Sequence, residues 1–363
     1  LCLELKKLSG VWIMAYTTID DPTQFFNTIL YTGNDASNRG ITGVNFAPDW
    51  VWIKKRNNAA GGVISDTVRG AGKVLYSSET NAEGSESASF VSFDSDGYTI
   101  SQDAGVGLNV NSHTYVGWNW KAGGSASSNS NGSITSSVSA NTTAGFSIVS
   151  YTGNGTDGAT VGHGLTSPKL VLIKDRDNST PWLMYGFPNH PTFATDGDLI
   201  KLNLSDALVS NDSTTELSIG SSTVTFVDAG SAINANSAKF IMYCFQEIKG
   251  YSKFGSYEGN GNADGTFLHL GFRASFFMCK RTNSSDDWFI FDNKREGYNV
   301  DNDELRANTT GTEGTTDRID ILSNGIKHRN SGSAQNGSGS TYIFMAFAES
   351  PFTNSSGVPN NAR

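Results

Sequence analysis

The sequence has few charged residues, few cysteines and no long apolar run. Charged side chains make up 17% of its 363 residues, and three residues are cysteine. Because a membrane-spanning helix needs about 18 or more consecutive apolar residues, we expect no insertion into a membrane. Cys2, Cys244 and Cys279 show no spacing typical of a disulfide framework or a metal site. The last two lie within apolar runs, so we expect them to be reduced, buried thiols.

The sequence also lacks an excess of basic residues and lacks helix-forming runs of Ala, Leu, Glu and Lys. Its formal net charge is −9, which opposes binding to the phosphate backbone of a nucleic acid. Its 40 glycines accompany Ser, Asn and Asp clusters that separate short segments rich in Val, Ile, Phe, Tyr and Trp. This alternation is typical of strands joined by turns, and it predicts an all-β protein.

One short motif occurs three times. Tyr-x-Gly-Asn begins at positions 31, 151 and 257, and a lysine that ends an apolar run lies 23 residues after each tyrosine. Two landmarks at one constant distance indicate a diverged tandem repeat. The residues that define the repeat are Tyr31, Gly33, Lys54, Tyr151, Gly153, Lys174, Tyr257, Gly259 and Lys280. We interpret the motif as a strand end and turn that lead into the next buried strand.

Each repeat contains about seven or eight short strand-like segments, as a two-sheet sandwich or jelly roll does. We therefore predict three tandem, related β-sandwich (jelly-roll-like) domains. The predicted boundaries are 14–121, 142–249 and 250–352 for the sandwiches, 122–141 for a flexible Gly/Ser/Asn-rich linker, and 353–363 for a flexible tail. Residues 1–13 resemble a non-native upstream extension of the reading frame, and translation is expected to start at Met14.

No pattern of side chains indicates catalysis or a cofactor. The five histidines include no pair at metal-binding spacing. His163 and His269 each lie 12 residues after their tyrosine and are interpreted as structural hydrogen-bonding residues. Three acidic clusters could hold Ca²⁺, but their residue types also suit turns and hairpins, which is the interpretation we adopt. They are Asp94/Asp96, Asp286/Asp287 and Asp301/Asp303/Glu304. We assign no catalytic, cofactor-binding or metal-binding residue, and we predict that the protein is not an enzyme.

Repeat 1 contains four tryptophans in two pairs, Trp50/Trp52 and Trp118/Trp120. Aromatic faces beside polar groups can stack on sugars, so these four residues are a candidate glycan-stacking platform. At matching positions the other repeats carry other apolar residues: Leu170, Leu172, Tyr243, Phe245, Phe276 and Met278. Replacement by other apolar types favours a core position over a platform.

Four segments resemble repeat-containing virion proteins of tailed bacteriophages, of the marine phage type. They are MAYTTIDDPTQFFNTILYTGN (14–34), FAPDWVWIKKR (46–56), GHGL…PKLVLIK (162–174) and YIFMAFAESPF (342–352). The resemblance covers residues 14–352 and implies a structural role on the virion, as a tail fibre, a tail-associated protein or a capsid appendage. It implies synthesis in the host cytoplasm and assembly with other virion proteins, and by analogy with fibres we expect a homo-oligomer.

Two other functions stay open beside this non-enzymatic structural role. The alternative is a carbohydrate-binding module that recognises a host-surface glycan, with its contact surface in the loops whose lengths differ between repeats. A polysaccharide depolymerase is a third interpretation, although the sequence gives no pair of carboxylates a preferred role.

Overall fold

The computed structural model describes residues 5–8, 11–102, 105–190, 193, 197–295, 299 and 303–360. Helical structure in these ranges is confined to a 3₁₀ helix at Pro22–Gln24 and one turn of α-helix, α1 (Ser231–Asn234). The sheets are antiparallel, which confirms the all-β prediction. The described residues begin with a hairpin of β1 (Leu5–Leu8) and β2 (Val11–Met14). A translation start at Met14 stays a prediction.

Repeat 1 consists of two sheets. Its strands are β3 (Phe26–Thr32), β4 (Arg39–Thr42), β5 (Trp50–Lys55), β6 (Val63–Asp66), β7 (Lys73–Tyr76), β8 (Gly84–Ser85), β9 (Phe90–Asp94), β10 (Gly97–Ile100) and β11 (Thr114–Trp120). The large sheet has the order β3-β11-β5-β6-β7-β8, and the small sheet has the order β4-β10-β9. The hairpin β9–β10 contains the Asp-Gly sequence that favours such turns.

Repeat 2 has the same two sheets, with two additional strands at one edge. Its strands are β12 (Ser127–Asn129), β13 (Ser136–Asn141), β14 (Phe146–Thr152), β15 (Ala159–Gly162), β16 (Leu170–Asp175), β17 (Leu183–Gly186), β18 (Leu199–Lys201), β19 (Leu217–Ile219), β20 (Thr223–Phe226) and β21 (Lys239–Phe245). The large sheet has the order β12-β13-β14-β21-β16-β17-β18, and the small sheet β15-β20-β19.

Repeat 3 follows the same plan. Its strands are β22 (Ser252–Glu258), β23 (Phe267–His269), β24 (Phe272–Arg281), β25 (Trp288–Asp292), β26 (Leu305–Arg306), β27 (Ile319–Leu322), β28 (Gly325–His328) and β29 (Thr341–Pro351). The large sheet has the order β22-β29-β24-β25-β26, and the small sheet β23-β28-β27. In all three repeats the last strand therefore lies between the strand that carries the motif tyrosine and the strand that carries the repeat lysine.

The large sheets are buried on both faces, which explains why their strands are apolar at consecutive positions. In β5, for example, every residue from Trp50 to Lys54 is at most 1% exposed. One face of each large sheet packs on the small sheet of its own repeat, giving three separate sandwich cores. The opposite faces of all three large sheets pack together in a fourth core, which we call the central core.

The central core is rich in aromatic side chains from all three repeats. Phe347 of repeat 3 stacks on Phe26 of repeat 1, with ring centroids 5.5 Å apart, and lies 6.1 Å from Phe245 of repeat 2. Trp50 of repeat 1 lies 4.8 Å from Tyr243 of repeat 2. Each repeat thus contacts the other two, and the three repeats close into a ring around this core.

The prediction of a flexible linker at 122–141 is wrong for much of that segment. Residues 127–129 and 136–141 are the strands β12 and β13, and β13 pairs with β14. Ser136 and Val138 are buried in this sheet, whereas Ser137 between them is exposed. The segment is ordered by backbone pairing to an existing strand, which a Ser-rich composition does not reveal.

The prediction of a flexible tail at 353–363 is also wrong for the part of it that the structure describes. The backbone N–H of Ser355 and its hydroxyl both donate to the carboxylate of Asp20, at 2.6 Å each. Asn360 N donates to Phe352 O at 3.0 Å. Residues 361–363 lie outside the described residues. The remaining domain boundaries stay predictions.

We expect truncation of Phe347 to destabilise the whole protein. The substitution Phe347→Ala should lower the free energy of unfolding by about 3–5 kcal/mol, because it opens a cavity among rings of three repeats. Urea unfolding followed by tryptophan fluorescence measures this cost. Leu30→Ala is the control, since Leu30 is 37% exposed, and it should cost less than about 0.5 kcal/mol. A cost below about 1 kcal/mol for Phe347→Ala would contradict the described packing.

Candidate functional site at the contacts between repeats

The repeated tyrosines occupy the same position in each sandwich. Each phenol donates to a backbone carbonyl in the segment before the last strand, at distances of 2.9, 2.6 and 2.9 Å. The pairs are Tyr31–Leu108, Tyr151–Ile233 and Tyr257–Gln335. Each tyrosine ring also stacks on an aromatic ring of the last strand, with centroids 4.8 to 5.1 Å apart. The motif therefore ties the strand that carries the tyrosine to the segment that leads into the last strand of the same repeat.

The glycine of each motif is required by a close backbone approach. A Cβ atom would lie only 1.9 Å from Val110 O at Gly33, 2.3 Å from Ala235 O at Gly153, and 2.4 Å from Gly337 O at Gly259. No side chain fits at these distances. The strand end must therefore lie directly against the neighbouring loop in all three repeats.

A second asparagine completes each motif, and we did not identify it from the sequence. Its amide donates to the motif asparagine in the pairs Asn109–Asn34 (2.9 Å), Asn234–Asn154 (3.1 Å) and Asn336–Asn260 (3.0 Å). All three second asparagines are completely buried. Each lies five residues before the first residue of the last strand. This constant spacing is the sequence signal that could have revealed it.

The three repeat lysines are completely buried although each carries an amine. Their Nζ atoms donate to backbone carbonyls: Lys54 to Thr309 O at 2.7 Å, Lys174 to Asp175 O at 2.7 Å, and Lys280 to Arg281 O at 2.7 Å. Burial lowers the pKa of each ammonium to about 8. Lys54 reaches from repeat 1 into repeat 3, so one of these lysines also joins two repeats.

One backbone hydrogen bond recurs at all three contacts between repeats, which we call junctions 1–2, 2–3 and 3–1. Its N···O distance is 2.8 Å each time: Glu83 N to Arg176 O, Leu208 N to Thr282 O, and Glu313 N to Arg56 O. The acceptors Arg56, Arg176 and Thr282 each lie 25 residues after their motif tyrosine. The segment that follows the lysine strand of each repeat therefore contacts the preceding repeat of the ring at every junction.

Junction 1–2 contains a buried network of charges. Arg69 pairs with Asp66, and both side chains are fully buried. Arg69 also contacts Glu83, which accepts from Arg176 of repeat 2 at 2.9 Å. The Tyr243 hydroxyl of repeat 2 donates to Asp66 at 2.7 Å. Burial alone would lower the pKa of Arg69, but the negative charges of Asp66 and Glu83 raise it above its ordinary value.

Junction 3–1 contains the matching network. Arg295 pairs with Asp292 at 2.7 Å and with Glu313 at 2.8 Å. Glu313 in turn binds Arg56 of repeat 1 at 2.7 Å. Trp118 of repeat 1 donates its indole N–H to Asp292 at 3.0 Å, as Tyr243 donates to Asp66 in the other junction. Every charge in the network has an opposite charge within contact, as burial requires.

Among the described residues, junction 2–3 has no such network, and other residue types stand at the positions of its members. Gly186 stands at the position of Asp66 and Asp292, and Leu208 replaces the glutamate. Thr282 replaces the arginine and contacts Nε2 of His190 at 3.0 Å. Replacing every member avoids an unpaired buried charge.

Two indoles add a further contact between repeats. Trp182 donates to Tyr76 O and Trp288 donates to Lys201 O, both at 2.9 Å. Both tryptophans lie 31 residues after their motif tyrosine, where repeat 1 has Gly62. A Cβ at Gly62 would lie 2.5 Å from Trp52 Nε1. The indole of Trp52 therefore fills the space that a side chain at position 62 would need.

The predicted glycan-stacking platform is wrong. Trp50, Trp52, Trp118 and Trp120 are each at most 1% exposed and belong to the central core. Their ring faces pack on each other and on rings of the other repeats, for example Trp120 on Phe276 at 5.5 Å. A buried ring cannot stack on a sugar, so the core interpretation of these residues is correct.

The predicted structural histidines differ from each other. His163 is completely buried, and its Nδ1 accepts from Leu165 N at 3.1 Å. His269 is exposed on β23. Cys244 and Cys279 are buried, unpaired thiols, as predicted, whereas Cys2 lies outside the described residues.

The acidic clusters serve as hydrogen-bond acceptors and ion-pair partners. Asp94 accepts from Ser92 and Thr99, both at 2.8 Å, and Asp96 accepts from two backbone N–H groups. Asp287 pairs with Arg306, Asp303 with Arg56, and Glu304 with Arg306 and Arg318. Asp301 lies outside the described residues. Within the described residues, no group of three or more His, Cys, Asp or Glu side chains is placed to hold a metal ion.

One open groove lies beside junction 1–2, on the face of the large sheet of repeat 2. Its volume is about 410 Å³, and it is lined mainly by serine and threonine side chains together with Arg176 and Lys239. The additional strands β12 and β13 form part of its floor. Of the ranges that the structure describes, no helix is long and apolar enough to cross a membrane.

The fold and its junctions define an all-β protein in which three sandwich repeats share one core. The chain belongs to the family described as "Domain of unknown function (DUF7483)", whose model matches residues 21–351. No curated protein and no solved structure matches the chain. The matched region contains every strand from β3 to β29 and thus all three repeats.

His328 predicts a stability that depends on pH. It is completely buried, stacks on Tyr257 at 4.8 Å, and its two ring nitrogens have no hydrogen-bond partner within the described residues. Burial, with a smaller contribution from the Lys327 charge, lowers its pKa from 6.5 to about 3. Below pH 6.5 the unfolded chain binds a proton that the folded protein does not bind. The stability that His328 provides is therefore complete above pH 6.5 and is lost as the pH falls toward 3.

Between pH 7.5 and pH 5, this effect should cost about 2 kcal/mol. His328→Leu should remove that part of the pH dependence, as measured by urea unfolding at both pH values. His269→Leu is the control, because this exposed histidine should leave the dependence unchanged. Equal losses of stability in the wild type and in His328→Leu would contradict the assignment.

Proposed function

We propose that this chain is a non-enzymatic structural protein of a tailed-bacteriophage particle, carried as a tail fibre or surface appendage. The observation that carries the proposal is the closed ring, in which three repeats share the central core and are joined by buried ion pairs. Such an arrangement resists separation of the repeats and suits a protein whose task is to hold a shape. The sequence resemblance to phage virion proteins is the reason for proposing that this shape belongs to a phage particle.

The proposal includes contacts with other virion proteins and with copies of the same chain. The net charge of −9 supports solubility at high local concentration and disfavours adhesion to nucleic acid. Because each repeat turns the inner face of its large sheet toward the central core, partners would contact the outer surfaces.

A second candidate function is recognition of a host-surface glycan. The observation that favours it is the groove beside junction 1–2, whose lining of hydroxyl and cationic side chains offers hydrogen bonds to sugars. The two candidates are compatible, because an appendage on a particle can also bind the host.

Purified particles test the structural proposal. We expect quantitative mass spectrometry of particles from a density gradient to find the chain at a fixed number of copies per particle. Immunogold labelling should place it on the tail or on the capsid surface. An abundant host protein measured in the same fractions controls for carry-over from the lysate. Presence of the chain in the lysate but not in purified particles would contradict the proposal.

A further inference from the structure

We propose that the groove of repeat 2 binds a short acidic oligosaccharide, one that bears carboxylate or sulfate groups. This inference rests on the second candidate function and names its site and ligand class. It does not depend on whether the chain is part of a particle.

The floor of the groove is a row of hydroxyls across three adjacent strands. Ser128 of β12 pairs with Ser137 of β13, which pairs with Ser150 of β14. Neighbouring strands lie about 4.8 Å apart, so the hydroxyls repeat at that spacing. Ser128 and Ser137 are exposed, and Ser150 is partly exposed. Each hydroxyl can donate and accept, which matches the hydroxyls of a sugar chain lying across the strands.

This row exists because one face of the sheet changes from apolar to hydroxyl-bearing side chains along β14. Phe146 and Ile148 face the central core, and the next two residues on that face are Ser150 and Thr152. The strands β12 and β13 then extend the face beyond the ring. In the described part of the chain, the large sheets of repeats 1 and 3 begin with β3 and β22 and have no such extension. The groove is therefore specific to repeat 2.

Two cations border the row of hydroxyls. Arg176 is held in place by Glu83, at 2.9 and 3.0 Å, and by the hydroxyl of Ser150 at 3.2 Å. A guanidinium has five N–H groups, and the three contacts with described residues use three of them. The other two can donate to a ligand. Lys239 is exposed, pairs with Thr152 across the strands, and forms no ion pair with any described residue. Cations of this kind bind carboxylate and sulfate groups through charge-assisted hydrogen bonds.

The same residues argue against a neutral sugar or a long polyanion as the ligand. The aromatic residue of the lining, Tyr151, is only 3% exposed, so its ring cannot stack on a neutral sugar. The net charge of −9 repels an extended polyanion such as a nucleic acid. A short acidic oligosaccharide satisfies the hydroxyls and the cations without a large repulsion.

Isothermal titration calorimetry with three hexasaccharides tests the inference: hexagalacturonate, a sulfated heparin hexasaccharide and neutral maltohexaose. We expect at least one acidic hexasaccharide to bind more tightly than maltohexaose. Its affinity should fall as the NaCl concentration rises, because salt screens the two cations.

Lys239→Gln should weaken acidic binding by about 5- to 10-fold. Ser137→Leu should weaken it by more than about 10-fold by covering the floor, and circular dichroism would verify its fold. Lys169→Gln is the matched control. It removes the same charge from an exposed position directly before β16, whereas Arg176 of the groove directly follows β16. Binding should therefore not change.

Three results would overturn the inference: no acidic hexasaccharide binding at millimolar concentration, equal effects of Lys239→Gln and Lys169→Gln, or equally tight binding of maltohexaose. In the last case the second candidate function would survive while the acidic ligand would not. None of these results bears on whether the chain is found in particles.

Discussion

Burial of the inner faces of the three large sheets against one another is the constraint on which the rest of the structure depends. A sheet that is apolar on both faces must be covered twice. The small sheet of each repeat covers one face, and only the other two repeats cover the second. Aromatic side chains such as Trp50, Phe245 and Phe347 fill the space where the three sheets meet. A single repeat would leave this face in water, so the repeats are expected to depend on one another for stability.

The polar contacts determine how the repeats are oriented around that core. Hydrophobic packing has no direction, whereas the junction hydrogen bonds and ion pairs fix which element contacts which. Arg69 and Arg295 illustrate this role, since both are completely enclosed and each is neutralised by two carboxylates. Junction 2–3 has the same backbone hydrogen bond but no such buried charges within the residues that the structure describes, so the charges are an addition to a common geometry rather than a requirement for it.

Local order could be predicted from the sequence, whereas closure of the ring could not. The apolar run from Trp50 to Lys54 indicates a strand buried on both faces, and the Asp-Gly pair indicates a hairpin, because these signals depend on neighbouring residues. The pair Arg56–Glu313 joins residues 257 positions apart, and in the sequence both are ordinary charged residues. The serines of β12 and β13 likewise resemble a linker, since the strands they pair with are defined only in the fold.

Differential scanning calorimetry of the intact chain tests most directly whether the three repeats form one unit. If the repeats share their core, the protein unfolds in one transition whose van't Hoff enthalpy equals the calorimetric enthalpy, about 250 kcal/mol near 60 °C for a chain of this size. Three resolved transitions, or a van't Hoff enthalpy near one third of the calorimetric value, would show that the repeats unfold independently and would contradict the account.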